Sequence, residues 1–342
     1  MKTDSPLKLG ISVGDLNGVG CEVALKSFMD KRMLEFCTPI FFASNKIVAD
    51  QKKALELQLP FQGIRDLNRL ERSKINVFNC IKQEHELSFG LSTTESGTLA
   101  KASLQAAVKA LKEKKIDALV TAPINKSNVQ SEDFSFPGHT DYLAQELDGN
   151  ALMFMVSGQL RVGLLTDHVG VGDVPKLIGK DLIASKVKTM SLSLQQDFGI
   201  GKPKIAVLGI NPHSGDNGII GSEDEEVLKP SIKNLFQEGH LVFGPFSADS
   251  FFTNGNHLKY DAVLAAYHDQ GLIPFKTLSF GQGVNFTAGL SGVRTSPDHG
   301  TAYDIAGKNT ADESSFKEAV YTAIDICHNR QRFKEFAKDK TQ

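Results

Sequence analysis

Short apolar runs that end in glycine-rich or polar loops recur along this chain, and they restrict its possible folds more than any other feature. Leu7 to Val13, Pro39 to Ala43, Ile75 to Asn79, Ile116 to Thr121, Lys204 to Ile210 and Ala262 to Ala266 are each long enough for one buried strand and too short for a typical helix. Helical patterns stand between several of them: about Glu22 to Met29, Lys46 to Leu57 and Lys180 to Asp197, with Asp312 to Asn329 as a terminal helix. Ser92-Thr-Thr-Glu95 reads as a capping box opening a long helix with apolar residues at Leu99, Ala102, Ala106, Ala110 and Leu111, and Ser222-Glu-Asp-Glu225 as a cap with an acidic first turn. Strands alternating with helices predict an α/β fold with a parallel sheet. One exception is expected, because Leu152 to Val156 and Leu160 to Leu165 flank Ser157-Gly158 in the pattern of an antiparallel hairpin.

At 342 residues the chain exceeds the size at which one hydrophobic core stops growing, so two lobes with a cleft between them are expected. We place the first lobe at residues 1–130 plus about 300–342 and the second at 131–299. Hydrophobic content of 41% and a net charge of −2 lack the basic excess of a nucleic-acid-binding protein. No apolar run approaches the roughly 20 residues of a membrane span, and the start, MKTDSPLKLG, has no hydrophobic signal core. Cys21, Cys37, Cys80 and Cys327 form no CxxC pair, which fits a reducing cytoplasm.

Chemistry-bearing residues gather after the apolar runs, where open α/β sheets hold their ligands. His168, His213 and His268 each follow such a run. Three imidazoles at one sheet edge would make a divalent-metal site; their wide separation matches no short zinc motif and by spacing alone favours three unrelated histidines, against which the repeated strand-end context argues. Asp249 and Asp269 add carboxylates that can orient metal ligands or move a proton. His139, Lys276 and Arg294 supply positive charge for a phosphate or carboxylate, with Asn285 as a neutral donor and Lys126 as a further cation or a solvated one. Thr140 reads as the N-cap of a helix through Leu147, whose amides would bind an anion or simply be capped. Gly14-Asp15-Leu-Asn17-Gly18-Val-Gly20 follows the first strand like a phosphate loop, but its spacing is neither GxGxxG nor GxxxxGK[ST], and Lys26 lies inside the helix.

The segments GDLNGVG, VTAPINK, FPGHTDYLA, LTDHVGVGDVP, LGINPHSGDNG, GPFSADS, YHDQGLIPFK, GVNFTAGL and RTSPDHGTAYDIAGK together resemble the 4-hydroxythreonine-4-phosphate dehydrogenase family of pyridoxal 5'-phosphate biosynthesis, from about residue 8 to residue 310. The last block also resembles the adenine-side loop of isocitrate and isopropylmalate dehydrogenases. The resemblance implies a two-lobed α/β/α fold of the isocitrate/isopropylmalate dehydrogenase kind with the active site in the cleft. It implies NAD(P)-dependent oxidation of 4-phosphohydroxy-L-threonine at C3, then metal-assisted decarboxylation to 3-amino-2-oxopropyl phosphate. His168, His213 and His268 would hold one divalent metal (zinc, magnesium, cobalt or manganese), and His139, Thr140, Lys276, Asn285 and Arg294 the phosphorylated substrate. NAD or NADP would lie across Gly281, Gly283, His299, Gly300, Thr301 and Asp304, with Lys276, Asp249 and Asp269 as candidate catalytic groups. Family members form their site at a homodimer interface with metal ligands from both subunits.

Two departures from the commoner pattern stand out. Leu16-Asn17 and Cys21 replace Pro-Ala and Pro, and Val-Gly-Val-Gly after His168 replaces Leu-Pro-Leu-Arg, removing one arginine. The alternatives are a paralogous 4-phospho-D-threonate or 4-phospho-D-erythronate dehydrogenase and, from another class, a phosphate acyltransferase of similar fold, against which the three strand-end histidines argue.

Overall fold

The computed structural model describes residues 6–339 apart from 84, 132, 133 and 137. The start of the chain read for a signal core, Pro137 of the FPGHTDYLA block and the last three residues of the first expected lobe lie outside the described residues. Two compact units emerge: Met1–Asp148 with Ser291–Cys327, and Gly149–Leu290 with His328–Gln342. The first unit extends further than residue 130, so His139, Thr140 and Arg294 sit in it rather than with the metal-ligand candidates.

In the first unit β1 (Leu7–Ser12), β2 (Cys37–Ala43), β3 (Phe61–Ile64), β4 (Ile75–Asn79) and β5 (Ala118–Thr121) pair in parallel, in the order β3-β4-β2-β1-β5. Every residue of β2 is buried, as a strand with both faces covered requires. The helix Thr94–Lys112 packs on this sheet. Its cap is Thr93, whose side chain accepts from the Ser96 amide, one residue later than the Ser92 box predicts. The buried face includes Leu99, Ala100, Ser103, Leu104, Ala107, Val108 and Leu111, while Ala102 and Ala106 lie at its margin. Ser103 fixes the docking, accepting from the Val13 amide at 3.0 Å and donating to the Phe42 carbonyl at 2.6 Å.

The second unit is mixed. β6 (Gly149–Ser157) and β7 (Leu160–Leu164) form the expected antiparallel hairpin, while β8 (Lys204–Leu208), β9 (Leu241–Phe246) and β10 (Ala262–Ala265) run parallel to β7. Most of the GVNFTAGL block, for which the sequence set out no strand, is β11 (Val284–Leu290), antiparallel to β6, giving the order β11-β6-β7-β10-β8-β9. Met155, Val162, Leu164, Ala206, Leu208, Val263, Ala265 and Phe275 pack together as its core. The chain then returns to the first unit with β12 (Val293–Pro297), parallel to β5. No helix of the described residues is long and apolar enough to cross a membrane.

Candidate active site

Arg294 owes its position to β12. Register with β5 pairs Arg294 with Leu119, and its side chain meets Thr121 at the end of that neighbouring strand. The guanidinium is 2% exposed and donates from Nε at 3.0 Å and from Nη2 at 2.7 Å to Thr121 Oγ1. Burial pulls its pKa down to about 9, which leaves it cationic at neutral pH. His139 opens the helix His139–Glu146, with Gly138 as the cap residue, so Thr140 stands at the second helical position and is not the N-cap. Desolvation, and then the positive fields of Arg294 and Lys126, hold the His139 pKa well below 6.5, so the ring is neutral. Its Nε2 is buried with no hydrogen-bond partner among the described residues. A neutral imidazole at a helix N-terminus, in the field of a buried guanidinium, suits a phosphate better than a cation.

The loop after β12 carries His299, Gly300, Thr301 and Asp304. His299 Nδ1 lies 2.9 Å from the Gly300 carbonyl and its Nε2 is buried without a partner among the described residues, while Asp304 is exposed. Two contacts tie this loop to the first glycine turn: the Val19 amide donates to the Thr301 carbonyl at 2.9 Å, and Tyr303 Oη donates to Asp15 Oδ2 at 2.8 Å. Gly18 has to be glycine there, because a Cβ would stand 2.6 Å from the Thr301 oxygen. Asp15 is fully buried and also accepts from Ser96 Oγ at 3.0 Å, Asn128 Nδ2 at 2.8 Å and the Asn17 amide at 2.9 Å. Asn17 is buried too, donating to the Leu91 carbonyl at 3.0 Å and accepting from the Ser88 amide at 2.9 Å. Lys26 pairs with Glu22 at 2.7 Å and donates to the Asn309 and Ala311 carbonyls. The turn that resembles a phosphate loop is thus a joint that braces the 299–304 loop. Cys21 beside it is an inert thiol, pushed up to about 12 chiefly by burial.

In the second unit the strands β7 and β10 are zipped past their ends. The amides of Leu165 and Thr166 donate to the carbonyls of Ala265 and Ala266 at 2.8 and 3.1 Å, and Thr166 Oγ1 adds a bond to the Ala266 carbonyl at 2.8 Å. His168 and His268 therefore emerge together, ring centroids 6.0 Å apart and planes inclined by 37°. They line a surface cavity of about 340 Å³ with Asp167, Tyr267 and Asp269. His268 is the first residue of a helix, His268–Ser279, that Gly271 and the internal Pro274 hide from sequence patterning. Its Nδ1 lies 2.7 Å from Asp269 Oδ1, which leaves Nε2 for a metal. Gln270 anchors the helix start, accepting from the Ala266 amide and donating to the Gly209 carbonyl, both at 2.7 Å.

His213 behaves differently. It is exposed and begins five successive residues in left-handed conformation, His213 to Asn217, with φ of 51, 51, 81, 41 and 57°. Each non-glycine residue there costs roughly 1–2 kcal/mol. The Ser222–Glu225 run forms no side-chain cap: Asp224 turns back to accept from the amides of Ile210 and Asn211, and a π-helical turn Asp224–Leu228 leads into the helix Lys229–Gln237. Among the described residues no three His, Cys, Asp or Glu side chains of one chain are grouped to hold a metal ion. Among the described residues of a single chain the expected convergence of three histidines is therefore a pair, His168 and His268, while His213 opens the left-handed turn beyond β8.

Of the remaining candidates, Lys276 is exposed two turns along the helix from His268, about 12 Å by the rise of an α-helix. Asn285 sits on β11 opposite Met155 with its Oδ1 buried and unpartnered among the described residues. Gly281 adopts φ of +80° after the left-handed Phe280, and Gly283 is buried. Asp249 is exposed on the short helix Ala248–Phe251. Sequence patterning passes over Thr121 and Asp224. Thr121 looked like the last residue of a strand and Asp224 like part of a helix cap, and only tertiary pairing reveals their partners.

A model of the family described as pyridoxal phosphate biosynthetic protein PdxA matches residues 35–323. The chain belongs to this family. It is 47% identical over 333 residues to the 4-hydroxythreonine-4-phosphate dehydrogenase of Bacteroides thetaiotaomicron, covering 97% of this chain and 92% of that one. It is also 36% identical to the D-threonate 4-phosphate dehydrogenase of Cupriavidus necator, with 94% and 98% covered. The crystal structure of a 4-hydroxythreonine-4-phosphate dehydrogenase from Burkholderia phymatum superposes with a TM-score of 0.78 at 35% identity, covering 94% of this chain and 99% of that one. The donor set of this PdxA-family chain fits the groups a dehydrogenase of this kind uses. The paired imidazoles of His168 and His268, one of them backed by a carboxylate, suit a divalent metal. The buried unpartnered atoms of His139, Asn285 and His299 are polar groups that a ligand would satisfy.

Proposed function

We propose that this chain oxidises 4-phosphohydroxy-L-threonine at C3 with NAD or NADP and decarboxylates the product to 3-amino-2-oxopropyl phosphate, in the cytoplasmic synthesis of pyridoxal 5'-phosphate. The observation that carries this reading, beyond family membership, is the His168–His268 pair with Asp269 behind it. When bound, a divalent metal supplies Lewis acidity at the substrate hydroxyl, and the nicotinamide accepts the hydride. The chain's own residues do the rest. Arg294, His139 and Thr140 hold the phosphate, with Asn285 as a further polar contact. Asp249 takes the hydroxyl proton, Asp269 orients His268, and Lys276 steadies the negative charge that develops as CO2 leaves. His299 to Asp304, with Gly281 and Gly283, hold the nucleotide.

Two imidazoles bind a metal less firmly than three, and we infer that a second copy of this chain completes the set with His213. Exposed apolar side chains support a partner: Val171, Ile219, Ile273 and Phe280 are 72, 80, 65 and 87% exposed. The four free cysteines agree with a reducing compartment. The test is turnover of 4-phosphohydroxy-L-threonine with NAD or NADP across a series of zinc, magnesium, cobalt and manganese. Activity confined to 4-phospho-D-threonate would replace this reading with the second one, the activity for which the Cupriavidus relative is named.

A further inference from the structure

Asp224 is fully buried, and its carboxylate bonds to the segment that leads into His213. Its carboxylate accepts from the Ile210 amide at 2.9 Å, the Asn211 amide at 3.0 Å and Asn211 Nδ2 at 3.0 Å. Those amides lie three and two residues before His213. Immediately beyond them the chain turns left-handed for five residues, four of them not glycine. Side chains with a Cβ keep that conformation only where their surroundings over-determine it. Within the turn the Ser214 amide donates to the Asn211 carbonyl at 3.0 Å and the Ile220 amide to the Gly215 carbonyl at 3.0 Å. A Cβ on Gly215 would stand 2.9 Å from the Gly221 carbonyl oxygen and 3.4 Å from the Asp224 Cβ, so the turn passes close to this side chain. Asp224 is presented by a π-helical turn, a distortion that recurs at functional sites.

We propose that Asp224 is a positioning residue for metal binding: by fixing Ile210 and Asn211 it sets the backbone from which His213 is offered to a divalent metal. The proposal rests on the reading of His213 as a ligand. A carboxylate is the fitting group because all three partners are N–H donors. An asparagine would turn an amide N–H toward at least one of them.

The test titrates Co²⁺ alone into the full-length protein, without substrate or nicotinamide, by calorimetry and by the visible absorption of the bound ion. His213→Ala and Asp224→Asn should each weaken binding about tenfold or more, the usual cost of disturbing a ligand or its support. Asp224→Asn added to His213→Ala should cost less than about a further twofold, since Asp224 acts through that ring. The Co²⁺ spectrum of Asp224→Asn at saturation should shift, which a loss of stability alone would not cause. Affinity within twofold of wild type for Asp224→Asn, or an equal loss with and without His213, overturns the proposal while a loss in His213→Ala keeps the ligand reading. No loss in His213→Ala overturns both. Should Asp224→Asn fail to fold, Asn211→Ala removes one of the three bonds. It should then weaken Co²⁺ binding several-fold, and unchanged affinity overturns the proposal.

Discussion

Thr121 Oγ1 accepts two hydrogen bonds from one guanidinium, that of Arg294, at 3.0 and 2.7 Å. The pair ties the start of β12 to the end of the parallel strand β5 and fixes the planar fork of a residue that burial has stripped of water. A hydrogen bond to a charged group contributes about 1.5–3 kcal/mol, and about 1.4 kcal/mol is tenfold in affinity. Thr121→Val keeps the shape and removes the acceptor. It should raise KM for the phosphorylated substrate about tenfold, with kcat changed far less, while Thr121→Ser stays near wild type. Steady-state kinetics that show an unchanged KM would separate Arg294 from phosphate binding.

His139 gives the free protein a pH signature. Its folded pKa lies well below the unfolded value near 6.5, first through desolvation and then through Arg294 and Lys126. Between those two values the unfolded chain binds a proton that the folded chain does not, so stability falls as pH drops below 6.5 and is unaffected by this group above it. Melting temperatures measured from pH 7.5 to 5 should fall less steeply in His139→Gln than in wild type. Parallel curves would mean that the imidazole is protonated in the fold.

The first unit was the more legible of the two because it is built from repeated parallel strand and helix units, and buried parallel strands such as β2 are continuous apolar runs. Legibility failed where short-range signals mislead. Phe61–Ile64 contains a glycine and no apolar run, Gly271 and Pro274 disguise the helix that bears His268 and Lys276, and the glycines after Phe280 conceal β11. In the site, the residues that resemble the family motifs were named and grouped by role from the sequence, but the contacts that bring some of them together were not legible. Arg294 and His139 meet because β12 returns to β5, and His168 meets His268 because β7 and β10 are zipped beyond their ends. Neither relationship is local. The acidic run at 222–225 shows the same limit: its pattern is that of a cap, and tertiary donors claimed Asp224 instead.

In the second unit Arg330 and Asp197 pair at 2.5 Å, with Asp197 wholly buried and Ser193 Oγ donating to it at 2.6 Å. Breaking such a pair from one side leaves a charge with too few partners and costs about 3–5 kcal/mol. Arg330→Ala should lower the melting temperature by on the order of 10 °C. Replacing both partners by apolar residues should recover much of that loss. Equal destabilisation by the single and the double change would show that packing of the arginine stem, rather than the stranded carboxylate, sets the cost.

Asp269 and Asp249 were equal candidates for moving a proton, and their surroundings now part them. Asp269 Oδ1 lies 2.7 Å from His268 Nδ1, so it holds the ring proposed as a metal ligand, whereas Asp249 is exposed on a separate short helix. Removing a carboxylate behind a metal-binding histidine costs about 10–100-fold in metal affinity. Asp269→Asn should therefore weaken Co²⁺ or Zn²⁺ binding by that factor and recover turnover as metal is raised. Asp249→Asn should bind metal as wild type does and lose kcat about 10²-fold or more, the contribution of a general base, whatever the metal concentration. Chelator competition and kcat measured at saturating metal distinguish the two effects. If Asp269→Asn lost kcat at full metal occupancy while Asp249→Asn did not, the roles assigned here would be exchanged.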